Sequence, residues 1–155
     1  MQIIVVSDSH GLVEPLQRIK EVYRDADAFI HCGDSELDRE HLEGFVVVNG
    51  NNDYYSDFPN ELVVDVDDYK IFVAHGHLFV RSRLVESLAT KAINHHCKLA
   101  LYGHTHVFKV DTDRGVTVVN PGSMRYNRDG TKPSFAVITI TDGEIQVERH
   151  DTDEL

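Results

Sequence analysis

Gly103-His104-Thr105-His106 sets two imidazoles at i and i+2, just past an apolar run over residues 99–102. Alternate residues of an extended segment leave the backbone on the same side, so one stiff strand end can present both rings to one cavity. A lone His-x-His pair is more often packing or surface, and this one gains weight from its company. Asp8 and His10, then Asp34, Asn51 and His75, each lie just beyond another apolar run. Imidazoles, carboxylates and an amide oxygen together form a donor set suited to Mn²⁺, Fe²⁺, Zn²⁺ or Ni²⁺, rather than to Ca²⁺ or a thiolate-bound metal. Any single Asp or Asn here would pass as a turn residue. The set of seven exceeds the four ligands of a tetrahedral zinc. Two divalent metal ions sharing a carboxylate are therefore the economical expectation, with Mn²⁺ first and Fe, Zn or Ni as alternatives.

The elements that must position these residues follow from hydrophobic period. Residues 2–6, 28–32 and 45–48 are short apolar runs rich in β-branched and aromatic side chains, read as buried parallel strands. Helical spacing over 12–23, with Pro15 in the first turn, and a short helical stretch over 37–42 separate them. This alternation predicts a parallel sheet with right-handed crossovers, whose ligands gather beyond the carboxyl ends of the strands. Residues 61–66 and 70–74 flank Asp67-Asp68 and read as a hairpin ending in His75-Gly76-His77. A helix is expected over 81–93. Strands over 107–110, 116–119, 134–140 and 144–148 follow the run at 99–102 and resemble an antiparallel meander, so the two halves are expected to pack sheet on sheet.

At 155 residues the chain is expected to form one domain, 1–155, with residues 151–155 as a flexible acidic tail. The net charge of −11, from 26 acids against 15 bases, argues against duplex nucleic acid and against an anionic membrane surface as partners. Cys32 and Cys97 lie far apart in apolar surroundings and read as buried free thiols. A core strand already begins at Ile3 and no apolar run reaches membrane-spanning length. A cytoplasmic protein is the expectation.

In order, Asp8-Ser9-His10, Gly33-Asp34, Gly50-Asn51-Asn52-Asp53, His75-Gly76 and Gly103-His104-Thr105-His106 resemble the motifs of the calcineurin-like metallophosphoesterase superfamily. The short chain and Asn120-Pro121-Gly122-Ser123 resemble its small YfcE-like phosphodiesterase family, over residues 1 to about 140. The resemblance implies an α/β fold, a four-layer α/β/β/α sandwich of two mixed sheets. It implies one metal on Asp8, His10, Asp34 and His106 and a second on Asp34, Asn51, His75 and His104, with Asp34 bridging. Two cations so placed would acidify a water between them and offset charge on a phosphoryl group.

One position departs from the larger phosphatases of the superfamily, where His follows the metal-binding Asn. Here it is Asn52, whose amide donates a hydrogen bond but surrenders no proton. Asn52 and His77 are the candidate catalytic side chains near the leaving group. Ser123, Arg125 and Arg128, with Asn52, are the candidate substrate contacts. His77 also reads as a structural histidine, and the two arginines also read as solvated loop residues. His31, inside an apolar run, reads as a satisfied core imidazole. The expected function is two-metal hydrolysis of a small phosphodiester or nucleotide, the partner being a phosphate-ester small molecule, with a homo-oligomer possible. The alternatives are a protein-interaction scaffold of the same fold, like the retromer subunit, and a phosphomonoesterase.

Overall fold

Alternation at single-residue period decides which side each strand shows to which layer. In the computed structural model, which describes residues 1–54 and 56–155, Ile3 and Val5 face a core between two sheets. Ile4 and Val6 of the same strand face outward under a helix. Ile71 and Val73, then Leu99 and Leu101, repeat the inward pattern, with Phe72, Ala74, Ala100 and Tyr102 facing out. Strands apolar on both faces must be covered on both, and a four-layer arrangement does so.

In chain order the elements are β1 (Gln2–Val6), α1 (Glu14–Val22), β2 (Ala28–His31), β3 (Phe45–Val47), β4 (Glu61–Val66), β5 (Tyr69–Ala74), α2 (Leu84–Asn94), β6 (Leu99–Leu101), β7 (Phe108–Asp113), β8 (Val116–Pro121), β9 (Ser134–Thr141) and β10 (Glu144–Asp151). One sheet has the order β10-β9-β1-β2-β3 and the other β4-β5-β6-β8-β7. β1, β2 and β3 run parallel, as their β-α-β spacing predicts, and β9 joins β1 antiparallel. Both sheets are mixed, and α1 and α2 cover their outer faces through Leu16 and Ile19 and through Leu88 and Ala92. The expected α/β/β/α sandwich is the fold observed.

The second half corrects the expected meander. β6 runs parallel to both β5 and β8, because the α2 crossover returns the chain to the same end of the sheet. β9 and β10 leave that sheet altogether. Phe135, Ala136, Val137 and Ile138 are buried on both faces of β9, which suits a place beside β1 inside the first sheet. Residues 37–42 make only a one-turn 3-10 segment, Arg39–Leu42, capped by the Asp38 carboxylate, since so short a stretch cannot repay helix nucleation. The start of the expected helix at 81 is likewise a 3-10 turn, Arg81–Arg83, leading into α2. Residues 151–155, expected as a flexible tail, have contacts of their own. β10 continues to Asp151, Thr152 N–H donates to Pro133 O at 2.9 Å, and Leu155 packs on the cluster around Leu16. Among the described residues no helix is long and apolar enough to cross a membrane.

Candidate metal centre

The seven candidate ligands stand at the carboxyl ends of five strands, and the loops that carry them are stitched to one another. Asp8 and His10 N–H donate to Gly33 and Asp34 carbonyls at 3.0 Å each, and Gly103 N–H donates to His75 O at 3.0 Å. Asp8, His10, Asp34, His104 and His106 all have φ between 44° and 69°. That left-handed region costs a non-glycine residue roughly 1–2 kcal/mol, and Asp, Asn and His are the side chains that visit it most readily. Such clustering at one edge marks a functional site rather than five independent turns.

Two glycines make room. A Cβ on Gly103 would come within 2.6 Å of Asp8 Oδ2 and overlap Ser7, and one on Gly50 would overlap the Asp34 carboxylate.

The imidazoles are aimed by backbone carbonyls. His75 Nδ1 lies 2.7 Å from Cys32 O and His106 Nδ1 lies 3.1 Å from Tyr126 O. A carbonyl only accepts, so each Nδ1 carries the proton and each Nε2 lone pair points into the centre, as metal-ligating histidines are held. His106 Nε2 faces Asp8 Oδ1 at 3.2 Å and His10 Nε2 at 3.2 Å. His75 Nε2 faces Asp34 Oδ2 at 3.3 Å and Asp8 Oδ1 at 3.7 Å. Asn51 Oδ1 lies 3.1 Å from both His75 Nε2 and His104 Nδ1.

Two donor clusters result: Asp8, His10 and His106, and Asp8, Asp34 and His75. Asp8 is common to both groups, and Asp34, which the resemblance implies as the bridge, stands in the second. Asn52 fixes the Asp34 carboxylate: its N–H donates to Oδ1 at 2.8 Å and its amide to Oδ2 at 3.0 Å.

The electrostatics fit a cation site. Asp8 is fully buried and its Oδ1 has no hydrogen-bond partner, a costly arrangement for a carboxylate unless a cation completes it. Burial pushes the Asp8 pKa up, but His106, His75 and Ser7 outweigh it, and the net shift is downward. Asp34 follows the same logic, with His75 and Asn52 overcoming burial to hold it well below the usual carboxylate range. Burial opposes the His75 cation, yet Asp34 and Asp8 raise its pKa above the ordinary value. His104 is lowered by burial, then by the neighbouring His75. Nitrogen and oxygen donors, an orphaned anionic oxygen and lone pairs converging on it are what a divalent metal needs.

The remaining candidates fall into place differently. Asn52 is spent on Asp34. His77 packs beside His75 with ring centroids 5.4 Å apart, and its buried Nδ1 has no partner; burial, then His75, lowers its pKa. Ser123, a candidate substrate contact, is fully buried and braces its loop. Its hydroxyl donates to Asp8 O at 2.8 Å and accepts from Arg125 and Tyr126 N–H. Arg125 is exposed and donates to His10 O at 3.0 Å, and the exposed Arg128 donates through its N–H to His106 O at 2.9 Å. Both therefore sit at the rim of the centre.

Some residues that organise the centre escape sequence reasoning. Buried Asp53 accepts from the N–H groups of Asp34, Gly50 and Glu36, each at 2.8 Å, locking two ligand loops together. Its signal was only an acid three residues after a turn glycine. Asn120 donates to Gly103 O at 2.9 Å and Thr105 Oγ1 at 3.0 Å, bracing the His104 loop from β8. His31 is the satisfied core imidazole expected: Gly33 N–H donates to Nδ1, so Nε2–H donates to Ser9 Oγ at 2.9 Å.

A sandwich of this topology with this centre at its strand ends is that of the metallophosphoesterases, and residues 1–143 match the family model described as the calcineurin-like phosphoesterase superfamily domain. The chain belongs to that superfamily. It is 36% identical over 154 residues to the probable metallophosphoesterase YsnB of Bacillus subtilis, covering 97% of this chain and 91% of YsnB. Among solved structures it resembles a predicted phosphoesterase from Streptococcus pneumoniae, with TM-score 0.91 and 35% identity over 98% of this chain and 90% of the other. Vps29 of Entamoeba histolytica in complex with Zn²⁺ shares the fold, with TM-score 0.74 and 22% identity over 98% and 99% of the two chains.

Proposed function

We propose that the chain is a cytoplasmic, two-metal-dependent phosphodiesterase acting on a small phosphodiester or nucleotide, with Mn²⁺ as its metal. The observation that carries this reading is the unpartnered Asp8 Oδ1, fully buried among the Nε2 atoms of His10, His75 and His106. In this reading Asp8, His10 and His106 would hold one ion and Asp34, His75, Asn51 and His104 the other, with the Asp8 carboxylate within reach of both. Bound divalent ions would supply Lewis-acid polarisation of phosphoryl oxygens and a water nucleophile at neutral pH.

The chain's own part is to fix the donors in advance. Carbonyls of Cys32 and Tyr126 set the tautomers of His75 and His106, while Asn52 and Asp53 set Asp34 and its loop. Proton supply to the leaving group is the weak point. Asn52 is engaged and cannot ionise, and His77 is shifted toward its neutral form. Without a general acid the departing oxygen carries its charge alone, a loss of about 10²–10⁴-fold for basic leaving groups. Aryl phosphodiesters should therefore turn over faster than alkyl ones.

The test is a screen of Mn²⁺-loaded protein against matched phosphomonoesters, phosphodiesters and pyrophosphates. Faster turnover of the aryl diesters supports the reading, and preferential hydrolysis of monoesters would make the chain a phosphomonoesterase instead. A second reading, a protein-interaction scaffold, is favoured by the Vps29 likeness and by Leu78 and Val80, exposed at 65% and 67% beside His77. Full cellular complementation by a folded His10→Ala protein without activity would favour it.

A further inference from the structure

In a chain with 26 acids and 15 bases, a cavity in which cations outnumber acids stands apart. One opens where α2 begins, about 430 Å³ in volume, lined by Arg81, Arg83 and Lys109 against the single acid Glu86. Its inner wall includes Tyr102 and Thr105, the residues that bracket Gly103-His104 and lead into His106. The cavity thus adjoins the loop that carries two of the candidate metal ligands. Lys109 has Asp111 at 3.4 Å, whereas neither arginine has an ion-pair partner among the described residues. In a protein this acidic, two guanidiniums left unpaired in one recess next to the centre are positioned for an anion that arrives from outside.

We propose that this cavity is a subsite for a second phosphate of the substrate, carried on an arm beyond the reacting diester. The inference deepens the phosphodiesterase reading and rests on it for the word substrate. The chemistry is that of the fork: a guanidinium meets two phosphate oxygens with parallel N–H donors, with more geometric selectivity than an ammonium. The volume falls within the range that holds a ligand group the size of a phosphorylated sugar. Arg81 and Arg83 are exposed, so salt screens their pull and the gain is modest. A molecule with one phosphate at the centre and another here would be a phosphorylated dinucleotide or a similar polyanionic diester. A neutral-armed diester would leave the recess to water.

The experiment has two arms. Metal-free protein is titrated with inorganic pyrophosphate while the arginine Nε–Hε resonances are followed by NMR, with Arg81→Gln and Arg83→Gln assigning the peaks. Saturable movement of both resonances, with apparent affinity about tenfold weaker in Arg81→Gln, is expected for a charge-assisted contact. No movement, or equal affinity in the variant, overturns the subsite. In the second arm, the Mn²⁺-loaded enzyme is given a dinucleoside monophosphate with and without a 5′-terminal phosphate. The ratio of the two kcat/KM values should fall about tenfold in Arg81→Gln, and an unchanged ratio overturns the proposal. Hydrolysis of neither dinucleotide would overturn the phosphodiesterase reading, while the pyrophosphate titration still decides the subsite.

Discussion

At the scale of single residues, the centre depends on side chains whose protons and lone pairs are fixed by neighbours. Asn52 illustrates this. Its amide spans to Asp34 Oδ2 while its N–H secures Oδ1, so Asn52→Ala removes one of two restraints. Loss of such support typically costs 10–100-fold in metal affinity, and the expected change is about 10-fold. The dependence of kcat/KM on leaving-group pKa should be unaltered, since Asn52 supplies no proton. A steeper dependence in the variant would show that its amide touches the leaving group. His31 gives a pH test. Burial pushes its pKa from 6.5 down to about 4, so between those values the unfolded chain binds a proton that the folded chain refuses. Stability is unaffected above pH 6.5 and falls as pH drops through the window, by roughly 3 kcal/mol in all. Denaturant unfolding in chelator at pH 7.5 and pH 4.5 should show a smaller fall for His31→Gln than for the natural chain. Equal falls would mean that His31 is charged in the folded state.

At the scale of elements, the alternating apolar strands and the ligand residues at their ends were legible because both obey short-range rules. Period-two burial and turn chemistry need no knowledge of the partner strand. What was not legible depends on long-range pairing. Phe135 to Ile138 read as a strand in sequence, but whether it joins β8 or β1 is a question of which neighbour lacks cover. The bracing roles of Ser123, Asn120 and Asp53 were hidden for the same reason. Their partners Asp8, Gly103 and Asp34 are 115, 17 and 19 residues away. Gly103 joins the two levels. Its missing Cβ is what lets the β6 loop close on Asp8 and Ser7, so Gly103→Ala must push the His104 loop or the Asp8 carboxylate aside. Overpacking of this kind costs typically 1–3 kcal/mol. The expected outcome is a lowered Tm together with weakened metal binding, measured by calorimetry with and without Mn²⁺. A variant that binds metal normally would show that the loop shifts without disturbing Asp8.

At the scale of the whole molecule, a protein of net charge −11 in a family of phosphoesterases must bring anions to a chain that repels them. The fold's solution is to concentrate buried carboxylates and converging imidazoles at one edge of two packed sheets, where cations can reverse the local sign. Everything turns on whether those donors act as one two-ion centre joined through Asp8. The direct measurement is metal content per chain, by elemental analysis after Mn²⁺ loading and desalting, for the natural protein and for Asp8→Ala, with circular dichroism confirming the fold of both. Two equivalents in the natural protein and none in the variant are expected. Two equivalents retained by a folded Asp8→Ala chain, or none in the natural protein, would contradict the shared centre.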